Sequence, residues 1–181
     1  MAILQADLKF HYTGASSHEA AQTDPDASLG NYRASSEITT GVDENVFDDV
    51  SGDEADSGDT EYRGIGFHND HGSLPLTACV VWIQVDTGNG EDDISFKNEA
   101  PSVSDVTGAV QTIANESTEP TGGTWSDATS KATGQDCPLT NNEVGVDEWF
   151  CIWLRRVISA AASAVNAETV TMRVEGDTAA S

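Results

Sequence analysis

The sequence predicts an all-β fold, an antiparallel β-sandwich or jelly roll with long polar loops and an extended N-terminal arm. Three observations carry this expectation. EWFCIWLRRV sets Trp149, Cys151 and Trp153 on one face and Phe150, Ile152 and Leu154 on the other, the two-residue period of a strand. LTACVVWIQV, residues 76 to 85, is apolar and rich in β-branched residues, as a strand covered on both faces would be. The intervening stretches are long and hold Gly, Pro, Asn, Asp, Ser and Thr, which favour turns over regular structure.

Taken in order, LKFHY alternates Leu8, Phe10 and Tyr12 with Lys9 and His11 and predicts a half-buried first strand. Residues 13 to 35 are small and polar, and a segment of that composition gains order only against another surface. The expected division is therefore a strand and arm over 1–35 and one β-domain over 36–181. EITTGV predicts a short strand, and the nine acidic residues from Asp43 to Glu61, with no basic residue among them, predict an exposed, solvated connection.

EYRGIGFHN places Arg63, Ile65 and Phe67 on one face and Tyr62, Gly64, Gly66 and His68 on the other. The GIG triplet inside this strand pattern suggests a bulge. His68 to Pro75 then reads as a turn joining two antiparallel strands, the second being LTACVVWIQV. DISFKN and SVSDVTGAVQTIAN predict two weaker strands. Residues 116 to 142 read as a turn-rich region around the lone aromatic Trp125. VISAAASAVNA has helical propensity, and Val170, Met172 and Val174 alternate in a closing strand. Cys79, Trp82, Ile83, Phe150, Ile152 and Trp153 are the expected core.

Composition narrows the function. A chain of 181 residues is long enough for one well-buried core. Its 31 Asp and Glu oppose 8 Lys and Arg, a formal net charge of −23. Such a surface repels phosphate backbones and anionic lipid, so neither nucleic acid nor membrane is an expected partner. The same acidity suits salt-rich media or a basic protein partner. No apolar run approaches the roughly 18 residues of a membrane span, and MAILQADLKFHY lacks a basic stretch followed by an apolar one, so a soluble chain without a secretion signal is expected.

The residues with chemical potential are few. His68, Asp70 and His71 would have to converge to hold zinc, but in an extended chain 68 and 70 point one way and 71 the other. They are read as turn residues, and no metal, cofactor or catalytic residue is assigned. DENVFDD and NGEDD depart from the calcium-loop pattern, and no nucleophile elbow or phosphate loop is present. Cys79, Cys137 and Cys151 are an odd set without CxxC spacing; Cys79 and Cys151 lie in apolar runs and read as small buried hydrophobes. Arg155 and Arg156 read as ion-pair partners of nearby carboxylates.

The stretch NVFDDVSGDEADSGDTEYRGIGFHNDHGSLPLTACVVWI, with WLRRVISAAASAVNAETVTMRVEGDT near the C-terminus, resembles a family of tailed-bacteriophage virion proteins. DPDASLGNYRASSEI looks like the N-terminal part of that family. The resemblance spans roughly two thirds of the chain and weakens between residues 95 and 145. It implies a non-enzymatic particle component: a capsid decoration or cement protein on the outer capsid surface, bound to the major capsid protein and to neighbouring copies of itself as a homo-oligomer in the particle. A tail, baseplate or head-tail junction component is the alternative. A carbohydrate-binding module, resting on Trp125 in its Gly/Thr/Ser-rich loop, is a second.

Overall fold

The computed structural model describes residues 2–87, 91–163 and 169–178. Among them are nine strands and one short helix, α1 (Gly52–Ser57). The strands are β1 (Leu8–Tyr12), β2 (Gly30–Asn31), β3 (Asp59–Asn69), β4 (Leu76–Val85), β5 (Asp92–Glu99), β6 (Val110–Thr112), β7 (Gln135–Asp136), β8 (Trp149–Ile158) and β9 (Thr171–Thr178). They form a four-stranded sheet, β1-β3-β8-β5, a three-stranded sheet, β7-β4-β9, and a two-stranded ribbon, β2-β6, with every pairing antiparallel. Among the described residues no helix is long and apolar enough to cross a membrane.

The sandwich follows from the alternation. Ile65 and Phe67 of β3, Phe150, Ile152 and Leu154 of β8, and Ile94 and Phe96 of β5 meet Cys79, Val81 and Ile83 of β4 in one buried cluster. The odd-numbered side chains of β8 turn the other way, and Trp149, Cys151 and Trp153 pack with Tyr62, Val110 and Ile113 in a second cluster. The four-stranded sheet is therefore covered on both faces, which is why β8 is apolar on both. All six expected core residues are buried.

The cover over the second face is the N-terminal segment. Residues 13–35, expected to need a separate surface, find it on their own sheet. Thr13, Ala15, Ser28, Arg33 and Ala34 are buried. The Thr13 hydroxyl donates to the Gly64 carbonyl at 2.7 Å, and the Gly64 amide donates to the Ser28 carbonyl at 2.8 Å. β1 reaches only to Ile65 along the β3 edge, which leaves the Tyr62 and Gly64 amides free for other acceptors. Tyr62 takes the Glu116 carbonyl at 2.8 Å.

This close approach explains the GIG triplet. No bulge is present: β3 and β8 keep one register from Asp59 to His68. A Cβ on Gly64 would lie 3.1 Å from both the Cys151 Sγ and the Thr13 Oγ1, and one on Gly66 3.3 Å from the Trp149 ring. The glycines make room for two tryptophans under the arm.

Other expectations are corrected locally. β3 and β4 belong to different sheets, so His68 to Pro75 carries the chain between layers and closes no hairpin. β4 is central in its sheet but covered fully on one face only, since Ala78, Gln84 and Val85 are exposed. EITTGV contributes a single bridge, Glu37 to His11, and no strand. The acidic connection is largely exposed as expected, but it holds α1, whose Ser51 and Glu54 form a reciprocal cap. In VISAAASAVNA, Val157 and Ile158 extend β8 and residues 159–163 form no helix; 164–168 lie outside the described residues.

Candidate functional site: an arginine network under an acidic surface

Arg63 sits on the core-facing side of β3 beside Ile65 and Phe67, where an unpaired cation would be costly. Its side chain is fully buried, and Nη2 donates to Asp26 at 2.9 Å and to Glu116 at 2.6 Å. One strand over, Arg156 of β8 lies opposite Glu61 of β3 in the ladder. Its Nε donates to the Glu61 carboxylate at 2.6 Å and its Nη1 to the Asp48 carbonyl at 2.8 Å, with the Asp48 carboxylate 3.5 Å from Nη2. The Phe47 ring lies against both guanidiniums, with its centroid 5.7 Å from Arg63 and 4.8 Å from Arg156. Burial pushes the Glu61 carboxyl up, and Arg156 pulls it back only in part.

This network ties five separate segments together: Asp26 from the arm, Phe47 and Asp48 from the acidic connection, Glu61 and Arg63 from β3, Glu116 from the turn-rich region after β6, and Arg156 from β8. Asp26, Asp48 and Glu116 also cluster closely enough to hold a cation, as do Glu54, Asp59 and Glu61. In the first group the Arg63 guanidinium already binds Asp26 and Glu116, and in the second Arg156 binds Glu61.

The eight basic side chains are all engaged. Arg33, Arg63, Lys97 and Arg156 are buried. Lys9 bridges Glu37 and Asp70, both at 2.8 Å, while Lys131 and Arg173 share Glu175 at 2.9 and 3.2 Å. Arg155 departs from the ion-pair expectation: its Nε donates to the Ser95 hydroxyl at 2.9 Å and its guanidinium lies 4.9 Å from the Trp125 ring centre. The field outside the protein is therefore set by carboxylates.

The histidine cluster splits three ways. His68 faces the arm, with Nε2 3.0 Å from the Asp147 carboxylate and its ring 5.4 Å from that of His11. Asp70 pairs with Lys9 at the surface. The His71 Nδ1 accepts from the Ser73 and Leu74 amides and shapes the inter-sheet turn. His11 and His68 are buried beside Arg33, and burial first, then the Arg33 charge, holds both below the ordinary range, His11 down to about 4.

Trp125 is also committed. Lys97 Nζ lies 4.8 Å from the ring centre, Tyr62 packs at 5.6 Å and Nε1 donates to Glu119 at 2.7 Å. Lys97 itself donates to the Pro120 and Gly122 carbonyls at 2.5 and 2.6 Å. A stacking platform for a sugar needs an open ring face, and here cations and an aromatic neighbour crowd the ring.

No family model, curated protein or solved structure matches the chain.

Sequence reading placed Arg63 on the apolar face and gave Arg156 a carboxylate partner, but it did not join them. The available signal was the basic residue in line with Ile65 and Phe67, since a cation on a core face requires a buried acceptor. Which acceptors serve it depends on the arm folding back, and nothing local in the sequence encodes that.

Proposed function

We propose that this chain is a non-enzymatic virion structural protein, a decoration or cement protein on the outer capsid surface of a tailed bacteriophage, bound to the major capsid protein. The observation that carries the reading is the convergence of the resembling segments on one arginine network. Those segments are spent on cross-linking the arm, the acidic connection and two central strands, which makes a rigid body of a small domain. Rigidity of that kind serves a protein whose work is to hold position on a shell.

The charge supports the outer location. A surface set by carboxylates is repelled by packaged nucleic acid, whereas outside the shell it meets water and counterions.

Copy number in purified virions tests the proposal. Quantitative mass spectrometry should find this chain in numbers that scale with the major capsid protein. A copy number fitting a single ring would instead indicate a tail, baseplate or junction component, and absence from the particle would overturn the structural reading.

A further inference from the structure

Two of the three cysteines are cross-strand neighbours. β4 and β7 pair Val80 with Asp136 and Val81 with Gln135, and the next step of that register sets Cys79 opposite Cys137. The step is made: the Cys137 amide donates to the Cys79 carbonyl at 2.9 Å. Directly opposed residues of a hydrogen-bonded antiparallel pair have Cα atoms about 5.5 Å apart, within the range of about 4.4 to 6.8 Å that disulfides span. Both side chains are buried in the same core cluster and both are free thiols. Cys151 faces the other side of the four-stranded sheet, in the second cluster, away from them.

We propose that Cys79 and Cys137 are a dithiol that closes to a disulfide in an oxidising medium, tying the turn-rich region before β8 to the centre of the three-stranded sheet. The oxidant is a small organic disulfide of the glutathione type. The Cys137 sulfur attacks one sulfur of that disulfide, releasing one small thiol and leaving a mixed disulfide on Cys137. The Cys79 sulfur then attacks the Cys137 sulfur, forming the internal bond and releasing the second small thiol. Two protein thiols are oxidised, one small disulfide is reduced, and the two thiol protons pass to the two released thiols.

The order of attack follows from position. Cys137 directly follows β7, a two-residue strand on the sheet edge, whereas Cys79 lies in the central strand. Short edge pairing opens locally far more readily than the core, and this exposes Cys137 first. Each thiol acts first on the other: Cys79 holds Cys137 below the ordinary thiol range, and Cys137, with burial, pushes Cys79 up. Closure constrains the unfolded chain between the two positions and so adds stability outside the reducing cell.

The test incubates the full chain with oxidised glutathione and maps its peptides without reduction. A 79–137 link is expected, with Cys151 still open to alkylation once the protein is denatured. The thermal midpoint should rise by several degrees and fall back on addition of a reductant. Cys151→Ser should leave the link intact, and Cys137→Ser should abolish both link and shift. Links to Cys151, a persistent glutathione adduct, or unchanged Cys79 and Cys137 thiols after exposure in mild denaturant would each overturn the proposal.

Discussion

Glu61 and Arg156 face each other across β3 and β8, both buried, with the closest carboxylate and guanidinium atoms 2.5 Å apart. Breaking a buried pair leaves one uncompensated charge in the interior, at a cost of about 3 to 5 kcal/mol. Arg156→Met should therefore destabilise by that amount in denaturant unfolding near neutral pH. The loss should shrink as pH falls, because the stranded Glu61 can take a proton. Replacing both residues, Glu61→Leu with Arg156→Met, should recover most of the stability. An unchanged midpoint for the single variant would contradict a structural role for the network.

Trp153 is fully buried and forms part of the floor on which the arm lies. Trp153→Ala should cost about 3 to 5 kcal/mol, as deletion of a buried aromatic ring does. A broad-specificity protease should leave residues 13–35 of the isolated wild-type protein intact and cut them readily in the variant. Rapid cleavage of the wild-type arm would show that it needs a partner.

Acid should loosen the seam between the arm and β3. His11 has an ordinary value of 6.5 and is held down to about 4 in the folded state, so folding favours its neutral form. Its stability contribution is thus present above pH 6.5 and is lost as pH falls from there towards 4. At about 1.36 kcal/mol per unit the loss approaches roughly 3 kcal/mol. His68 shifts in the same direction and adds to it, tempered by Asp147 and Asp70. Lys9, Arg33 and the neighbouring imidazole oppose a charge on His11, and Glu37 favours it. Both His11 ring nitrogens lack partners, so His11→Leu should flatten the pH dependence without a lost hydrogen bond. Identical curves for His11→Leu and wild type between pH 4 and 6.5 would refute this.

Salt should stabilise the isolated protein. At −23 the surface repels itself, and the Debye length falls from about 30 Å at 0.01 M to about 3 Å at 1 M. The thermal midpoint should rise across that range. A falling midpoint would mean that exposed ion pairs such as Lys131 with Glu175 outweigh the repulsion.

The strands were legible because their information is local. Alternation in EWFCIWLRRV assigned both faces of β8, and Tyr62 against Arg63 oriented β3. The pairing of sheets was less so: NDHGSLP has turn chemistry whether the chain returns beside β3 or crosses to the other layer. The docking of the arm was hidden because it rests on small residues and main-chain bonds, Thr13 to Gly64 and Gly64 to Ser28, which leave no hydrophobic period. Asp26 meets Arg63 only after that docking, so half of the arginine network could not be read in advance.

A density map of the intact virion tests the central claim most directly. The account predicts this sandwich on the outer face of the capsid, in contact with the major capsid protein and with its acidic surface turned to solvent. Density for the chain inside the shell, or confined to the tail or the head-tail junction, would contradict it.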